Sequence, residues 1–345
     1  MARAPMTNNL RLPVRFGLVG TGIGRLHAQA IAGLPGTAEL VAVCGLPLAS
    51  AEALAAEFKV SFATDDYEAL LRRPEVEVID LCVPHNLHLP MAEAAARAGK
   101  HVLIEKPLAR NLVEADAIIH AARSNGISLM VAHNQRYFGH HAKAKALLED
   151  GAIGTPYLVV AYVHVYGRIQ GFRTRLAEAG GGTLIDSGVH RFDLLRWLMG
   201  DVASVYTQMG RFLQMQMEGE DCAVVSLRFK SDAIGSFSCS WSAKGRQPRE
   251  GLEIYGPYGS ILTEDHTRSL RLYSERPPAG LEDVSEFIFP VDQVESMRRE
   301  IAAFAASIRQ GTEPPVTGYD GRAALELAVA SYESARVGQP VKLPL

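Results

Sequence analysis

The feature that most constrains this chain is an alternation of short apolar runs and helical stretches across its first 134 residues. The runs at 15–19, 38–44, 76–83, 101–104 and 128–132 are rich in Val, Ile and Leu. Runs that are apolar throughout belong to strands buried on both faces, which are parallel strands covered by helices. Segments with helical spacing lie between them, at about 25–34, 47–58, 87–98 and 111–125, with a shorter helix around Leu70 and Leu71. Pro35-Gly36, Gly99 and Gly126 stop helices, and Asp65 or Asp66 and Asn111 can cap them. Strand–helix units repeated in this way predict a parallel, doubly wound sheet.

The pattern changes after Asn134-Gln135-Arg136-Tyr137. One helix, about 140–150, is followed by β-rich runs at 156–166, 202–212, 223–229, 233–241, 252–255, 260–263 and 270–273. Polar turns join many of them, which predicts a mostly antiparallel sheet. Helices at about 291–310 and 320–336 close the chain. The fold class expected is therefore α/β: a doubly wound parallel sheet, then an α+β domain with an open, mostly antiparallel sheet. A chain of 345 residues is too long for one ordinary core. We divide it into a tail at 1–13, a nucleotide-binding domain at 14–134 and a substrate and oligomerisation domain at 135–345, with the last helix able to pack back on the first domain. A net charge of −3 offers no basic field for nucleic acid or acidic lipid. No apolar run is long enough to span a bilayer, and no secretory signal is visible, so a cytoplasmic protein is expected. Cys44, Cys82, Cys222 and Cys239 lack Cys-x-x-Cys spacing and read as small core residues, not disulfides or metal ligands.

Three groups of residues carry chemistry. The first is the turn Gly20-Thr21-Gly22-Ile23-Gly24, between the first strand and first helix, where backbone N–H groups and a helix N-terminus can face a pyrophosphate. A Gly-x-Gly-x-x-Gly pattern would put its third glycine at 25, which is Arg25, so the loop is one residue short. The second strand ends at Cys44-Gly45, with no acid for the adenosine ribose and no following Arg for a 2′-phosphate, which leaves NAD and NADP both open with NAD slightly favoured. The second group is Glu105-Lys106-Pro107, a charged pair at a strand's carboxyl end, where ligands of such sheets bind. The third is Gly180-Gly181-Gly182, a flexible loop leading into Asp186-x-x-x-His190. On a helix these two share a face, and a carboxylate beside an imidazole can orient it for proton transfer. Asp186 could equally cap the helix, and Asp193 could be the partner of His190. The histidine pairs His85/His88 and His140/His141 have no third ligand in sight, so no metal site is expected. The basic, aromatic run from Tyr162 to Arg175 reads either as the lining of a polar substrate pocket or as a solvated loop. Its candidate substrate residues are Tyr166 and Arg168.

A glycine turn, Glu105-Lys106-Pro107, and three glycines followed by Asp186-x-x-x-His190, in this order, resemble the Gfo/Idh/MocA oxidoreductases. The likeness runs from Phe16 to about Pro344. It is supported by 98–102, by His133-Asn134-Gln135-Arg136-Tyr137 and by Pro315-Val316-Thr317-Gly318. The resemblance implies a Rossmann domain, NAD or NADP, sugar, cyclitol or related polyol substrates, and a homodimer or homotetramer. It implies that Lys106 touches substrate and nicotinamide ribose, that Asp186 and His190 meet the substrate hydroxyl, with His190 moving the proton, and that a cis peptide precedes Pro107. The candidate catalytic residues are thus Lys106, Asp186 and His190. Candidate cofactor residues are Gly20, Thr21, Gly22, Ile23, Gly24, Val83, Pro84, His88, Glu105, Lys106 and Asn134. Arg136, Tyr166 and Arg168 join Lys106, Asp186 and His190 as candidate substrate residues. The function expected is hydride transfer between nicotinamide and a hydroxyl or keto carbon. A glycoside-cleaving enzyme working by transient oxidation, and a nucleotide-binding sensor without turnover, are the alternatives.

Overall fold

A computed structural model describes residues 13–245, 248–292 and 294–345. The expected tail falls outside these residues, apart from Pro13, whose carbonyl accepts a hydrogen bond from Arg309.

The apolar runs form strands β1 (Val14–Val19), β2 (Ala38–Cys44), β3 (Ala63–Thr64), β4 (Val78–Leu81), β5 (His101–Glu105) and β6 (Leu129–Ala132). They pair in parallel in the order β3-β2-β1-β4-β5-β6. Two-sided burial is the cause: Phe16, Leu18, Val78, Ile79, Leu81, Leu103 and Ile104 are fully enclosed. Helices α1 (Gly24–Ala32), α2 (Leu48–Phe58), α3 (Tyr67–Leu71), α4 (His88–Arg97) and α5 (Leu112–Ser124) make the crossovers. Asp66, not Asp65, caps α3 by accepting from the Ala69 amide, and Asn111 caps α5 through the Glu114 amide. Strand order reverses between β1 and β4, which opens a crevice at the strands' carboxyl ends.

Helix α6 (Gly139–Glu149) leads into β7 (Leu158–His164). After α7 (Leu176–Ala179) and α8 (Val189–Met199) come β8 (Val202–Gly210), β9 (Cys222–Phe229), β10 (Ile234–Ser240), β11 (Arg249–Gly256), β12 (Gly259–Glu264), β13 (Ser269–Ser274) and β14 (Val284–Ile288). Helices α9 (Glu295–Gln310) and α10 (Gly318–Val337) and strand β15 (Val341–Lys342) follow. The sheet runs β14-β13-β12-β11-β7-β10-β9-β8-β15, antiparallel except where β7 and β10 run side by side in parallel. Sequence reading missed β3, β14 and β15. The first and last are two residues long, and β14 is a half-exposed edge with no apolar run to mark it.

One face of this sheet buries Val225, Leu227 and Phe237 against α8 and α10, while the other leaves Tyr206, Val224, Ile234 and Tyr273 exposed. The two closing helices divide their work. Helix α9 lies against α1 and the first sheet, whereas α10 bridges α8 and β8 to α5 and β6. No helix among the described residues is long and apolar enough to cross a membrane. All four cysteines are free. Cys44, Cys82 and Cys239 are buried and Cys222 is half-buried.

Candidate active site

A cavity of about 870 Å³ follows the carboxyl edge of the parallel sheet. Its wall takes Gly20, Thr21, Gly22 and Ile23 from the turn after β1, Gly45 and Leu46 from beyond β2, and Val83 and Pro84 from beyond β4. Glu105, Lys106 and Asn134 come from the ends of β5 and β6, and His190 reaches in from α8. The segments from the first domain meet here, though far apart in sequence, because each follows a strand of the same sheet.

The turn is built to be close to a ligand. Gly20 has φ +100°, and a Cβ there would lie 2.1 Å from the Cys82 carbonyl oxygen, so only glycine fits. Gly22 faces open space. The start of α1 has no side-chain cap and no acid in its first turn, so its positive end is left for an anion. Gly24 does not line the cavity. A Cβ on it would sit 3.2 Å from Leu18 and 3.3 Å from Cys82, so it provides the close helix–strand approach of the missing third glycine one residue early. The shortened loop thus keeps both the cradle and the tight contact. The residues fit a dinucleotide along this edge: an open glycine turn, a free helix N-terminus and a long cavity ending at a lysine and a histidine. When bound, NAD supplies the carbon that accepts or donates hydride.

Beneath the turn lies a buried charged chain. His27 Nδ1 bonds Asp80 at 2.9 Å, and its Nε2 lies 3.2 Å from Glu105 Oε1. Burial alone would favour neutral His27, but Asp80 outweighs it and raises its pKa well above the ordinary value. The same imidazole, against the opposing effect of burial, helps hold the Glu105 carboxyl below its ordinary range. Glu105 Oε2 in turn accepts from the Lys106 amide at 3.1 Å. The Lys106–Pro107 peptide is cis, as the resemblance implies.

Lys106 Nζ donates to Asp186 Oδ1 at 2.7 Å and to the Asp186 carbonyl at 3.0 Å. Their side chains are only 13% and 7% exposed. Arg173 Nε binds the other Asp186 oxygen, and burial's upward push on this carboxyl is overcome by Lys106 and Arg173, which hold it far below the usual range. Asp186 therefore orients Lys106 and makes no hydrogen bond to His190. It sits not in a helix cap but in one turn of π-helix, Leu184–Gly188, directly before α8. The three glycines before it are a fixed joint instead of a flexible loop. A Cβ on Gly181 would lie 2.1 Å from the Tyr332 hydroxyl and one on Gly182 2.0 Å from the Glu220 carbonyl oxygen. Glu220 accepts from the Gly182 and Leu184 amides at 3.1 and 2.8 Å, which clamps the segment that carries Asp186.

His190 lies edge-on to His133, with ring centroids 6.0 Å apart, and its Nδ1 has no hydrogen-bond partner among the described residues. Burial and then the Lys106 charge keep its pKa well below the ordinary value, and Asp186 only partly offsets them. His190 is thus neutral at neutral pH, although a nearby carboxylate by itself favours the protonated ring. Asp193 is not its partner either. Asp193 is bound through both oxygens by Arg136, at 2.7 and 2.6 Å.

The other expected site residues divide clearly. Gly20, Thr21, Gly22, Ile23, Val83, Pro84, Glu105, Lys106, Asn134 and His190 meet at the cavity. Six do not line it: Gly24 and Asp186, described above, and the four that follow. Arg136 is locked between Asp193 and Asp320, and His88 is buried with its ring nitrogens on the Pro107 and Val83 carbonyls. Tyr166 and Arg168 are exposed to solvent away from the cavity wall. The same basic run instead delivers Phe172 and Arg173, with the guanidinium over the ring at 4.7 Å. His85, Asp65, Tyr67 and Met297 also line the cavity and carried no signal in the sequence beyond their residue types. The pair His140/His141 does find a third potential ligand, Asp265, across 125 residues of sequence, but the buried Arg191 already binds that carboxylate at 2.5 Å.

Comparison with known proteins agrees with this geometry. Residues 14–133 match the model of the oxidoreductase family with an NAD-binding Rossmann fold, and residues 141–262 match the GFO/IDH/MocA C-terminal domain. The chain is 31% identical to scyllo-inositol 2-dehydrogenase (NAD(+)) of Bacillus subtilis, over 96% of each protein. It is 30% identical to 1,5-anhydro-D-fructose reductase of Ensifer adhaerens, over 95% of this chain and 98% of that one. Levoglucosan dehydrogenase in complex with NADH and levoglucosan superposes with a TM-score of 0.90 at 26% identity, over 96% of this chain and 99% of that one. The chain belongs to the GFO/IDH/MocA family of oxidoreductases and carries its NAD-binding Rossmann fold.

Proposed function

We propose that the protein is an NAD-dependent dehydrogenase or reductase of a sugar, cyclitol or related polyol, with Lys106, Asp186 and His190 as its reacting constellation. The observation that carries this reading is the meeting of a buried Lys106–Asp186 pair and a neutral His190 at one end of the dinucleotide cavity. In the oxidative direction His190 takes the hydroxyl proton as the carbinol C–H leaves as hydride, and the alcohol becomes a carbonyl. Lys106, held by Asp186, donates to the substrate oxygen as negative charge develops on it. A neutral imidazole is the form that can accept this proton, so the depressed pKa of His190 serves the role directly. Arg173 keeps Asp186 ionised and lines the cavity with Phe172. The substrate class is supported by the relatives named above, which act on an inositol, an anhydro sugar and levoglucosan.

The chain works in this reading as two units, 14–134 for the dinucleotide and 135–345 for substrate. The apolar side chains Tyr206, Val224, Ile234 and Tyr273 exposed on the outer face of the second sheet support a homodimer or homotetramer joined through that face. A panel of sugars, anhydro sugars, uronic acids and inositols, assayed with NAD+ for appearance of NADH, tests the function. At least one polyol should give turnover, and binding of NADH with no turnover on any member of the panel would refute it.

A further inference from the structure

The end of the cavity away from Lys106 holds an unexplained arrangement. A Rossmann site usually reads the adenosine ribose with an acid directly after β2. Here that position is Gly45, and a Cβ on it would lie 2.7 Å from the Thr21 methyl carbon. A side chain at 45 would have to push the Thr21 methyl aside, and with glycine there recognition of the ribose falls to a neighbouring element.

Strand β3 supplies one. It pairs with β2 in the register Val43↔Ala63 and Cys44↔Thr64, and the Gly45 amide donates to the Thr64 carbonyl at 3.0 Å. The next residue, Asp65, thus leaves the sheet level with Gly45. Asp65 lines the cavity together with Gly45, Leu46 and Tyr67. The pKa of the buried Cys44 thiol, at the end of β2, is raised to about 11 by burial and by the charges of Asp66 and Asp65. Asp66 is committed elsewhere: it caps α3 and pairs with Arg72. Among the described residues Asp65 has no ion pair and no side-chain hydrogen bond. Arg25, the basic residue nearest the turn, is held through two hydrogen bonds by Glu57 and is not left for a phosphate.

We propose that Asp65, carried on the end of β3, accepts hydrogen bonds from the adenosine ribose hydroxyls of NAD and excludes the 2′-phosphate of NADP. This rests on the reading above that the cavity holds a dinucleotide, with its adenosine half at the Gly45 end. A carboxylate there accepts from both ribose hydroxyls of NAD, whereas a 2′-phosphate would put like charges face to face.

The test is direct titration of the full-length protein with NADH and with NADPH, followed by calorimetry or by energy transfer from tryptophan. Wild type should bind NADH at least about tenfold more tightly than NADPH. Asp65→Asn and Asp65→Ala should weaken NADH by about tenfold, leave NADPH unchanged or tighter, and bring the ratio near unity. Asp65→Glu should keep part of the preference, and Asp66→Asn, which keeps a capping side chain and loses only the exposed pair with Arg72, should keep all of it. An unchanged NADH-to-NADPH ratio in Asp65→Asn, with NADH still bound, would overturn the proposal alone. Failure of wild type to bind either dinucleotide would overturn the cavity reading and this proposal with it.

Discussion

Replacing Lys106 by alanine separates the two roles given to this residue. In the folded protein its ammonium is bound at 2.7 Å by a carboxylate whose side chain is 7% exposed. Deleting one partner of a fully buried pair costs about 3–5 kcal/mol, because the other charge is left without compensation. Asp186 would keep Arg173, but that side chain is 43% exposed and its interaction is correspondingly screened. The expected loss of stability is therefore smaller, about 2 kcal/mol at neutral pH, measured by urea unfolding. Turnover should fall by about a hundredfold or more, since the donor assigned to the reacting oxygen is lost. Lys106→Arg is the informative partner: it restores the charge beside Asp186, and so most of the stability, but a planar guanidinium cannot place one donor where the ammonium sat, and turnover stays low. Lys106→Ala with turnover within tenfold of wild type would refute the catalytic role. Unchanged stability in that variant would refute the ion-pair reasoning.

Three further outcomes follow from the same structure. Arg136→Ala should cost about 3–5 kcal/mol by leaving the buried Asp193 uncompensated, with KM for substrate changed by less than about threefold in the folded fraction; a large KM effect at full stability would return Arg136 to the substrate site. Gly20→Ala should destabilise by about 2 kcal/mol or more and weaken NADH binding, because its Cβ meets the Cys82 carbonyl; unfolding at the wild-type urea midpoint would contradict this. His27 has a folded pKa raised well above 6.5, so its stabilising contribution is complete below about pH 6.5 and is lost as pH rises through the folded value. Stability should therefore decline on the alkaline side, and His27→Gln should flatten that decline; an equal slope in the variant would remove His27 as its source.

The parallel sheet was legible because burial on both faces leaves the strands mostly apolar despite Arg15, Glu39 and the buried Asp80, and strand, glycine turn and helix then follow in a fixed order. Lys106 was legible for the same reason: the end of a buried strand is where such sheets bind ligands. The partners of the site were not. A spacing of four between Asp186 and His190 suggested a carboxylate–imidazole pair, yet a turn of π-helix and two cations from distant segments turn Asp186 toward Lys106 and Arg173. Within the basic run, the residues before α7 that reach the cavity are Phe172 and Arg173, while Tyr166 and Arg168 point to solvent; a loop without periodicity gives no sign of which side chains turn inward. The third-glycine rule failed for a related reason. It encodes a close helix–strand approach, and Gly24 provides that approach one position early. Asp265 beside His140 and His141 depends on pairing between segments more than a hundred residues apart, which no local pattern reveals.

The account depends most on His190 as a neutral base facing the Lys106–Asp186 pair. Its most direct test is the pH dependence of kcat/KM for polyol oxidation in wild type and His190→Ala. Wild type should hold its rate from mildly alkaline pH down past the ordinary histidine pKa of 6.5 and lose it only on further acidification, since the folded imidazole is protonated well below that value. His190→Ala should bind NADH normally, turn over about a hundredfold or more slowly, and lack this acid limb. A variant with wild-type turnover, or one that keeps the same acid limb, would contradict the account.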